Sequence, residues 1–456
     1  MNEHKTKSML NYTVQNKLSN LSRFFKKNII RYSLPITLKL DKPRIKNNSI
    51  TFVWKASGPI PGFKKNEWRI TYPKNVNLSV IPRELLWLIY AMMTSELLAE
   101  TSKINIVLPE KLDERFLELW KGVLSINHKA NPYHNNLDET SDFNIFNGKE
   151  IVEVKSSQDD YNTFEFACMN SLGKDALVQI GMLRELTQEQ IIAITIDNHW
   201  QFKKQHITSK IVERTRELKK YGVESCVVAS PVKETFAFKI IPWQIFAIPL
   251  LYLYGVKICL WALELPFNKC YNGIPVKPNA TVIMLEAINK LLNDLGYRFR
   301  FKSGVTPITT LGTMKLLIER YPELQKLQIS CMYDYPPCSK CLKCQSQMAY
   351  IKLCGSDYRE FGFRDTLIIN ANKLYREQIL DLEREPIEYA ISKANGFENN
   401  LNWVEKYWYD ALAYTIPGIK KILDEHFEEF KGKFFSYDIY EYDVDLWKKN
   451  IEQIYS

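Results

Sequence analysis

The sequence lacks an unbroken apolar segment of the length that crosses a membrane. Its most apolar stretch, residues 240–267, is interrupted by polar, charged and helix-breaking residues, namely Pro242, Gln244, Pro249, Gly255, Lys257 and Glu264. A membrane-spanning helix needs about 20 predominantly apolar residues in succession. This stretch therefore predicts a buried helix followed by a strand, and we expect no contact with a membrane.

A secretory signal and a disulfide framework are missing too. The segment MNEHKTKSMLNY at residues 1–12 contains no apolar signal core. Four of the nine cysteines lie within residues 331–344, which leaves an odd number elsewhere: Cys168, Cys226, Cys259, Cys270 and Cys354. Scattered cysteines of odd number in a lysine-rich chain are typical of a reducing compartment. We therefore expect a cytoplasmic protein.

Length and composition are those of a globular protein. The chain has 456 residues, of which 46% are hydrophobic and 25% charged, enough for two or three domains. Positive charge is concentrated in residues 1–48, which carry eleven lysines and arginines against two acidic residues; this excess of nine equals the net charge of the whole chain, +9. Such a segment predicts either a solvated terminus or contact with nucleic acid or an acidic partner.

Residues 163–176, TFEFACMNSLGKDA, have the layout of a phosphate-binding loop. A β-branched and aromatic strand leads into the loop at residues 171–175, and an apolar helix over residues 176–186 is predicted to follow. In such loops, backbone N–H groups and the positive end of the helix face the phosphate oxygens. The G-x-x-x-x-G-K-S/T spacing of a Walker loop is absent. The pattern therefore predicts a nucleotide site of another kind.

The loop residues suit contact with phosphate. Ser171 supplies a hydroxyl, Gly173 removes the Cβ that would keep a phosphate away, and Lys174 supplies a mobile positive charge. Asp175 could orient the loop or hold magnesium. These residue types together predict binding of a nucleotide with its metal ion.

A four-cysteine cluster, CMYDYPPCSKCLKC, follows about 150 residues after the loop. Cys331, Cys338, Cys341 and Cys344 are spaced as C-x6-C-x2-C-x2-C, which suits four thiolates around one tetrahedral zinc ion. Because the cysteines fill all four positions and leave none for water, we predict a structural zinc. Two C-x-x-C units share Cys341, so a redox function is the alternative.

The S-x-G-K-D loop resembles the SGGxDS loop of the PP-loop ATP pyrophosphatases. Within that superfamily, the downstream cysteine cluster is similar to that of the 7-cyano-7-deazaguanine synthases. The segments between loop and cluster follow the family's order as well, among them IIAITID, PNATVIMLEAINKLL and VTPITTLGTMKLLIERY. The resemblance covers roughly residues 160–356.

The resemblance implies an α/β fold of the PP-loop type, also called adenine nucleotide alpha hydrolase-like. Its parallel sheet carries helices on both faces and is accompanied by a zinc knuckle. The implied site binds ATP with magnesium, and Lys174 and Asp175 would act in catalysis. The implied contacts to ATP are the consecutive loop residues Ser171, Leu172, Gly173, Lys174, Asp175 and Ala176.

Several residues depart from the pattern of the family. Leu172 stands in place of a second glycine, and Ala176 stands in place of a serine or threonine that would touch the pyrophosphate. Asn279 replaces the aspartate of the family's PDC motif, and Gln347 replaces an arginine after the last cysteine. Residues 241–245 lack the family's arginine-asparagine pair. These departures predict a changed substrate or a weaker catalyst.

By the resemblance, the chain would use ATP to activate a 7-deazaguanine carboxylate as an acyl-adenylate, which an amine then attacks. Enlarged relatives occur in bacterial antiviral gene clusters, where the activated deazaguanine can be joined to a partner protein. The long segments outside residues 160–356 favour this antiviral type. The alternatives are a stand-alone 7-cyano-7-deazaguanine synthase for modified nucleosides and a catalytically degenerate nucleotide-binding subunit of a defence complex.

Four parts of the chain are predicted. They are a basic N-terminal arm (1–48), an accessory α+β domain (49–158), the PP-loop domain with the zinc site (159–356) and an aromatic-rich helical extension (357–456). In the extension, acidic residues alternate with rings such as Trp403 and Trp447, which suits packing or a protein partner and not nucleic acid.

A nuclease is a further alternative. Asp142 followed by Glu153 and Lys155 has the D…E-x-K form of a restriction-type site, in which two carboxylates hold magnesium and a lysine aids water attack. E-x-K is also common on amphipathic strands. An ordinary edge strand is therefore the simpler interpretation of these residues.

Overall fold

The computed structural model describes residues 36–57, 66–97, 103–130, 142–152, 164–197, 205–230, 243–263, 270–271, 274–275, 282–305, 310–329, 331 and 335–367. An eleven-stranded sheet runs through this part of the chain. Its strands are β1 (Ile36–Leu40), β2 (Arg44–Lys46), β3 (Ser49–Ala56), β4 (Glu67–Thr71), β5 (Lys103–Val107), β7 (Asp142–Phe146), β9 (Phe166–Asn170), β10 (Ile191–Asp197), β11 (Val223–Ala229), β12 (Ile258–Leu260) and β15 (Arg300–Lys302). Two small sheets pair β6 (Glu110–Lys111) with β8 (Glu150–Ile151), and β13 (Cys270–Tyr271) with β14 (Ile274–Pro275).

Helices cover the sheet. They are α1 (Arg83–Leu97), α2 (Glu114–Ala130), α3 (Lys174–Leu186), α4 (Gln205–Glu217), α5 (Ile248–Leu253), α6 (Val282–Asp294), α7 (Thr310–Glu319), α8 (Pro322–Gln325) and α9 (Leu342–Leu353). Short 3₁₀ helices are formed by Leu78–Val80, Leu218–Tyr221, Trp243–Ala247 and Tyr358–Phe361. No helix among the described residues combines the length and the apolar character needed to cross a membrane.

The C-terminal part of the sheet is a five-stranded parallel unit. Its order across the sheet is β11-β10-β9-β12-β15, and every neighbouring pair in it is parallel. Counted along the chain from β9, this is the order 3-2-1-4-5 of doubly wound α/β folds. The expected α/β fold, a mostly parallel sheet with helices, is therefore confirmed at this level.

The N-terminal strands extend the same sheet instead of forming one of their own. Strand β4 pairs antiparallel with β11 through Thr71 and Ala229, and the order continues as β3-β1-β5-β7. Strand β1 begins at Ile36 and lies between β3 and β5. The last residues of the predicted basic segment 1–48 therefore belong to the sheet.

Two hydrophobic cores lie on opposite faces of the parallel unit, as the alternation of side chains along a strand requires. In β9, Phe166 and Cys168 belong to the core that contains α3, α4, α7, α8 and α9. Ala167 and Met169 belong to the other core, which contains α1, α2, α5 and α6. Helices from the N-terminal and C-terminal parts thus share one core.

Polar contacts reinforce this shared core. The Tyr297 hydroxyl donates to the buried carboxylate of Glu84 in α1. Arg115 at the start of α2 donates to the backbone oxygen of Asp294 at the end of α6, at 2.7 Å. Removal of either N-terminal helix would therefore expose part of the parallel unit.

The buried helix predicted at the start of residues 240–267 is shorter than the apolar stretch suggests. Among the described residues, the chain forms a 3₁₀ turn at Trp243–Ala247 and then only the six residues of α5. Proline has no N–H group and a fixed φ, so it starts a helix more readily than it continues one. Pro249 in the first turn of α5 therefore accounts for the late start.

Gly181 in α3 and Gly122 in α2 give opposite predictions for replacement by alanine. A Cβ on Gly181 would lie 2.6 Å from Cγ of the Tyr321 ring, which cannot retreat easily because its hydroxyl donates to Glu185. We expect Gly181→Ala to destabilise the protein by about 1–3 kcal/mol. Gly122→Ala meets nothing within 4 Å and should stabilise by up to about 1 kcal/mol. Thermal melting of both variants tests this pair; equal shifts would contradict it.

Candidate functional site

The predicted phosphate loop lies at the centre of the parallel unit. It follows the carboxyl end of β9, and the strand order reverses between β9 and its neighbour β12. In open α/β sheets, ligands bind in the crevice outside the carboxyl ends of the strands at such a switch point. Helix α3 begins directly after the loop with Gly173 at its N-cap, so the positive end of the helix dipole lies at the same edge.

The loop turns at Leu172, whose backbone adopts a left-handed conformation. Its backbone is left-handed, with φ of 53°, a conformation that costs a non-glycine residue about 1–2 kcal/mol. Its side chain is completely buried, which contributes about 1.5–3 kcal/mol. The backbone therefore has the shape that glycine favours, at the position where the resembled family has glycine, and packing of the leucine side chain holds it there.

Asn170 fixes the start of the loop. Its Oδ1 accepts the N–H of Leu172 at 3.0 Å. Its Nδ2 donates to the hydroxyls of Thr195, at 3.0 Å, and Thr215, at 3.3 Å. The side chain is 4% exposed, so these bonds are shielded from water. Sequence reasoning missed this residue, although an asparagine that ends an apolar strand two residues before a turn is a typical Asx-turn signal.

The remaining loop residues bring together one cation, one carboxylate and one hydroxyl. Lys174 is 5% exposed, and its ammonium forms an ion pair with the Asp175 carboxylate. Ser171 is exposed, whereas Ala176 is buried and offers no hydroxyl. A Cβ on Gly173 would lie 3.2 Å from Ser171 Oγ, a tight contact that glycine avoids. The loop is thus compact and charged, with its serine open to solvent.

Buried polar residues also hold the segments that follow β12 and β15, on the other side of the switch point from β10. Gln179 in α3 is completely buried and accepts the N–H of Gly304 at 2.6 Å. Ser303 Oγ accepts the N–H of Leu263 at 3.1 Å. Gly304 follows β15 and Leu263 follows β12, so these bonds hold the chain where both strands end. No local sequence signal indicates these two contacts, because each joins distant parts of the chain.

The four predicted zinc ligands converge. The Sγ atoms of Cys331, Cys338, Cys341 and Cys344 all lie within 4.8 Å of one another, and those of Cys338 and Cys344 are 3.8 Å apart. Sulfurs about 2.3 Å from a zinc ion at the corners of a tetrahedron are about 3.8 Å apart. The cluster therefore fits a metal ion, and its all-thiolate composition is compatible with structural zinc.

Backbone N–H groups within the cluster donate hydrogen bonds to two of the four sulfurs, as they would to metal-bound thiolates. The N–H of Cys341 points to Cys338 Sγ at 3.5 Å, and the N–H of Cys344 points to Cys341 Sγ at 3.4 Å. At Cys338, burial raises the pKa, but N–H groups of Cys341 and Lys340 lower it to about 7 overall. Burial raises the pKa of Cys344 and of Cys341. A metal ion must therefore displace the protons of Cys341 and Cys344 when it binds.

The segment carrying the cysteines, residues 331–344, is called the knuckle below, and the residue that precedes it by two positions is hydrogen-bonded to the loop. The N–H of Ile329 donates to the backbone oxygen of Leu172 at 2.8 Å, two residues before Cys331. Leu172, Cys331 and Cys344 also belong to the same hydrophobic core. Residues after α9 also contact the knuckle: the N–H of Arg364 donates to Ser339 Oγ at 2.9 Å. The two sequence motifs are therefore joined into one region.

Other predicted site residues are not brought together among the described residues. Asp142 starts β7, but Glu153 and Lys155 lie outside the described residues, so the nuclease hypothesis stays a prediction. Asn279 and the aromatic residues of 368–456 also lie outside them.

Comparisons of the chain with protein-family models, curated proteins and solved structures find no match.

Replacement of Asn170 by alanine is expected to loosen the loop, because it removes the acceptor for Leu172 N–H. A net hydrogen bond contributes about 0.5–1.5 kcal/mol, and a buried group left unpaired costs about 1–3 kcal/mol. Asn170→Asp keeps an oxygen acceptor and should retain loop protection better. Amide hydrogen exchange over residues 171–176 measures the difference. Wild-type protection in Asn170→Ala would show that the loop does not depend on this side chain.

Purified wild-type protein is expected to contain one zinc ion per chain, and Cys341→Ser to lose it together with thermal stability, because structural zinc contributes folding energy. Cys226→Ser, in β11 outside the cluster, serves as the control and should keep the metal. Zinc affinity should fall as pH is lowered from about 8 to about 6, because protons compete for the thiolates. Metal analysis and a zinc-indicator titration test this; zinc-free wild-type protein would contradict it.

Proposed function

We propose that the chain binds ATP at residues 171–176 and cleaves it between the α and β phosphates while a carboxylic acid is adenylated. The observation that carries this proposal is the position of the loop. It follows the central strand of a 3-2-1-4-5 parallel sheet, at the switch point and at the start of α3. This is where α/β sheets bind ligands and where a helix start favours anions.

Three side chains of the loop have roles in the proposed reaction. Lys174 and the N–H groups at the start of α3 would neutralise charge that develops on the leaving pyrophosphate, which is usually the largest contribution to such catalysis. Asp175, whose side chain is 26% exposed, would share a magnesium ion with the phosphates. Ser171, exposed at the loop, would donate its hydroxyl to a phosphate oxygen. Zinc held by the knuckle would stabilise the fold and take no part in the chemistry.

The proposed reaction has two steps, adenylation of the acid and transfer of the acyl group to an amine. A carboxylate oxygen of the acid attacks the α phosphorus, the bond from this phosphorus to the bridging oxygen breaks, and pyrophosphate leaves. An amine nitrogen then attacks the carbonyl carbon, AMP leaves, and the nitrogen loses a proton. By the resemblance of the loop and the cysteine cluster, we propose a 7-deazaguanine carboxylate as the acid and an amine of a partner protein in antiviral defence as the acceptor.

Two alternatives use the same site. A stand-alone 7-cyano-7-deazaguanine synthase would use ammonia in place of a protein amine, so that a mass increase of a co-expressed partner protein would exclude it. A binding subunit without turnover is favoured by one observation: Ala176 is buried and has no hydroxyl to offer the pyrophosphate. Retained ATP binding without any AMP formation would identify this second alternative.

The proposed reaction predicts AMP and pyrophosphate as products and magnesium-dependent ATP–pyrophosphate exchange when the acid is present. Lys174→Ala and Asp175→Asn should each lower the exchange rate at least about 100-fold, the usual effect of removing one charge-stabilising group. Lys210→Ala is the matched control, since this lysine lies on α4 and pairs there with Glu213. Formation of ADP and phosphate, or wild-type exchange in both loop variants, would overturn the proposal.

A further inference from the structure

The segment that leads from α8 into the knuckle contacts the loop and also contacts α4. Within this segment, Ile329 donates its N–H to the backbone oxygen of Leu172 at 2.8 Å. Arg214 of α4 donates from Nη1 to the backbone oxygen of Lys326. Its guanidinium carbon also lies 4.6 Å from the centre of the ring of Tyr335, which belongs to the knuckle. Arg214 therefore joins α4 to the same segment that holds the carbonyl side of the loop.

The residue after Arg214 connects α4 to the other side of the loop. Thr215 is completely buried, and its hydroxyl lies 3.3 Å from Asn170 Nδ2 and 3.3 Å from Thr195 Oγ1. Asn170 in turn accepts the N–H of Leu172 at 3.0 Å. Neighbouring residues of an α-helix point in directions about 100° apart. One helix can therefore contact the knuckle with Arg214 and the sheet with Thr215.

These contacts form a closed ring that passes through the loop. It runs from the backbone oxygen of Leu172 to Ile329 and on to Arg214, and it returns from Thr215 through Asn170 to the N–H of Leu172. Four of these residues are buried, whereas Arg214 is half-buried. Replacement of Arg214 therefore opens the ring without leaving a cavity in the core.

We infer that Arg214 is a positioning residue of the candidate nucleotide site, which holds α4 to the knuckle segment so that the loop is fixed on both sides of Leu172. This inference rests on the proposed function, since the loop is the one to which ATP binding is assigned. Arg214 acts through Thr215 and Asn170 and not by contact with the nucleotide. Arginine suits this position, because its planar group donates hydrogen bonds from its edge and presents its face to an aromatic ring.

A competing role for Arg214 is to stabilise the surface alone. The 3₁₀ helix after α4 is also tied to α8, because the Tyr221 hydroxyl donates to the backbone oxygen of Glu323 at 3.2 Å. If that contact is sufficient to place α4, removal of Arg214 lowers the melting temperature without any change at the loop. The two roles therefore differ in whether the effect passes through Thr215.

The test uses the full-length, zinc-loaded protein and the variants Arg214→Gln, Arg214→Lys and Arg216→Gln. Arg216 is the matched control, because it is an arginine on the same helix with an exposed side chain. Amide hydrogen exchange over residues 171–176 measures the order of the loop. Calorimetric titrations with magnesium-ATP and with inorganic pyrophosphate measure affinity.

We expect Arg214→Gln to speed exchange in the loop and to weaken both ligands about fivefold or more, the lower end of the usual coupling between sites. Arg214→Lys should lie between this variant and the wild type, because lysine keeps the charge but lacks the planar group. Arg216→Gln should match the wild type in both measurements.

A double-mutant cycle with Thr215→Val separates positioning from general stabilisation. Valine has nearly the shape of threonine but lacks the hydroxyl that Asn170 contacts. If Arg214 acts through Thr215, Arg214→Gln changes loop exchange less in the Thr215→Val protein than in the wild type. If Arg214 stabilises only the surface, the two effects add.

Faster loop exchange and weaker binding in Arg214→Gln, together with effects that do not add in the cycle, support the inference. Wild-type exchange, wild-type affinity or additive effects overturn it while the proposed function stands. If Arg214→Gln does not fold, Arg214→Lys serves for the same comparison and the same cycle. If the wild-type protein binds neither magnesium-ATP nor pyrophosphate, the proposed function fails and this inference fails with it.

Discussion

The backbone of Leu172 is the constraint on which the candidate site depends. Its N–H is held by Asn170 and its carbonyl oxygen by Ile329 N–H, so both sides of one residue are tied to different parts of the chain. The left-handed conformation costs about 1–2 kcal/mol, and burial of the leucine side chain offsets this cost by about 1.5–3 kcal/mol. The turn is therefore stabilised by the core below it, where a glycine would provide only conformational freedom.

This arrangement explains why the departure at Leu172 need not mean a lost site. A family pattern with glycine specifies a backbone conformation, and the same conformation is present here with a different side chain. The departure at Ala176 is of another kind. A methyl group cannot supply the hydrogen bond of a hydroxyl, and at Ala176 the side chain is a buried methyl group. Relative to the resembled loop, the backbone conformation that glycine favours is present at the first position, and a hydroxyl group is absent at the second.

The sequence predicted local features better than distant ones. The strand at Ile191–Asp197 and the helix ending at Leu186 follow from apolar periodicity, and the convergence of four cysteines follows from their spacing. The joining of β4 to β11 rests on Thr71 and Ala229, which are far apart in the chain, so no local pattern encodes it. For the same reason the sequence did not reveal the link from Asn170 to Thr215.

The ion pair of Lys174 and Asp175 bears on the proposed function. A buried ammonium is costly without a partner, and Asp175 is one partner of Lys174 in the described part of the chain. In the proposed reaction a phosphate would attract Lys174, and a magnesium ion brought by the nucleotide would attract Asp175. Binding of the nucleotide would then exchange the partners within an ion pair that is already formed at the loop.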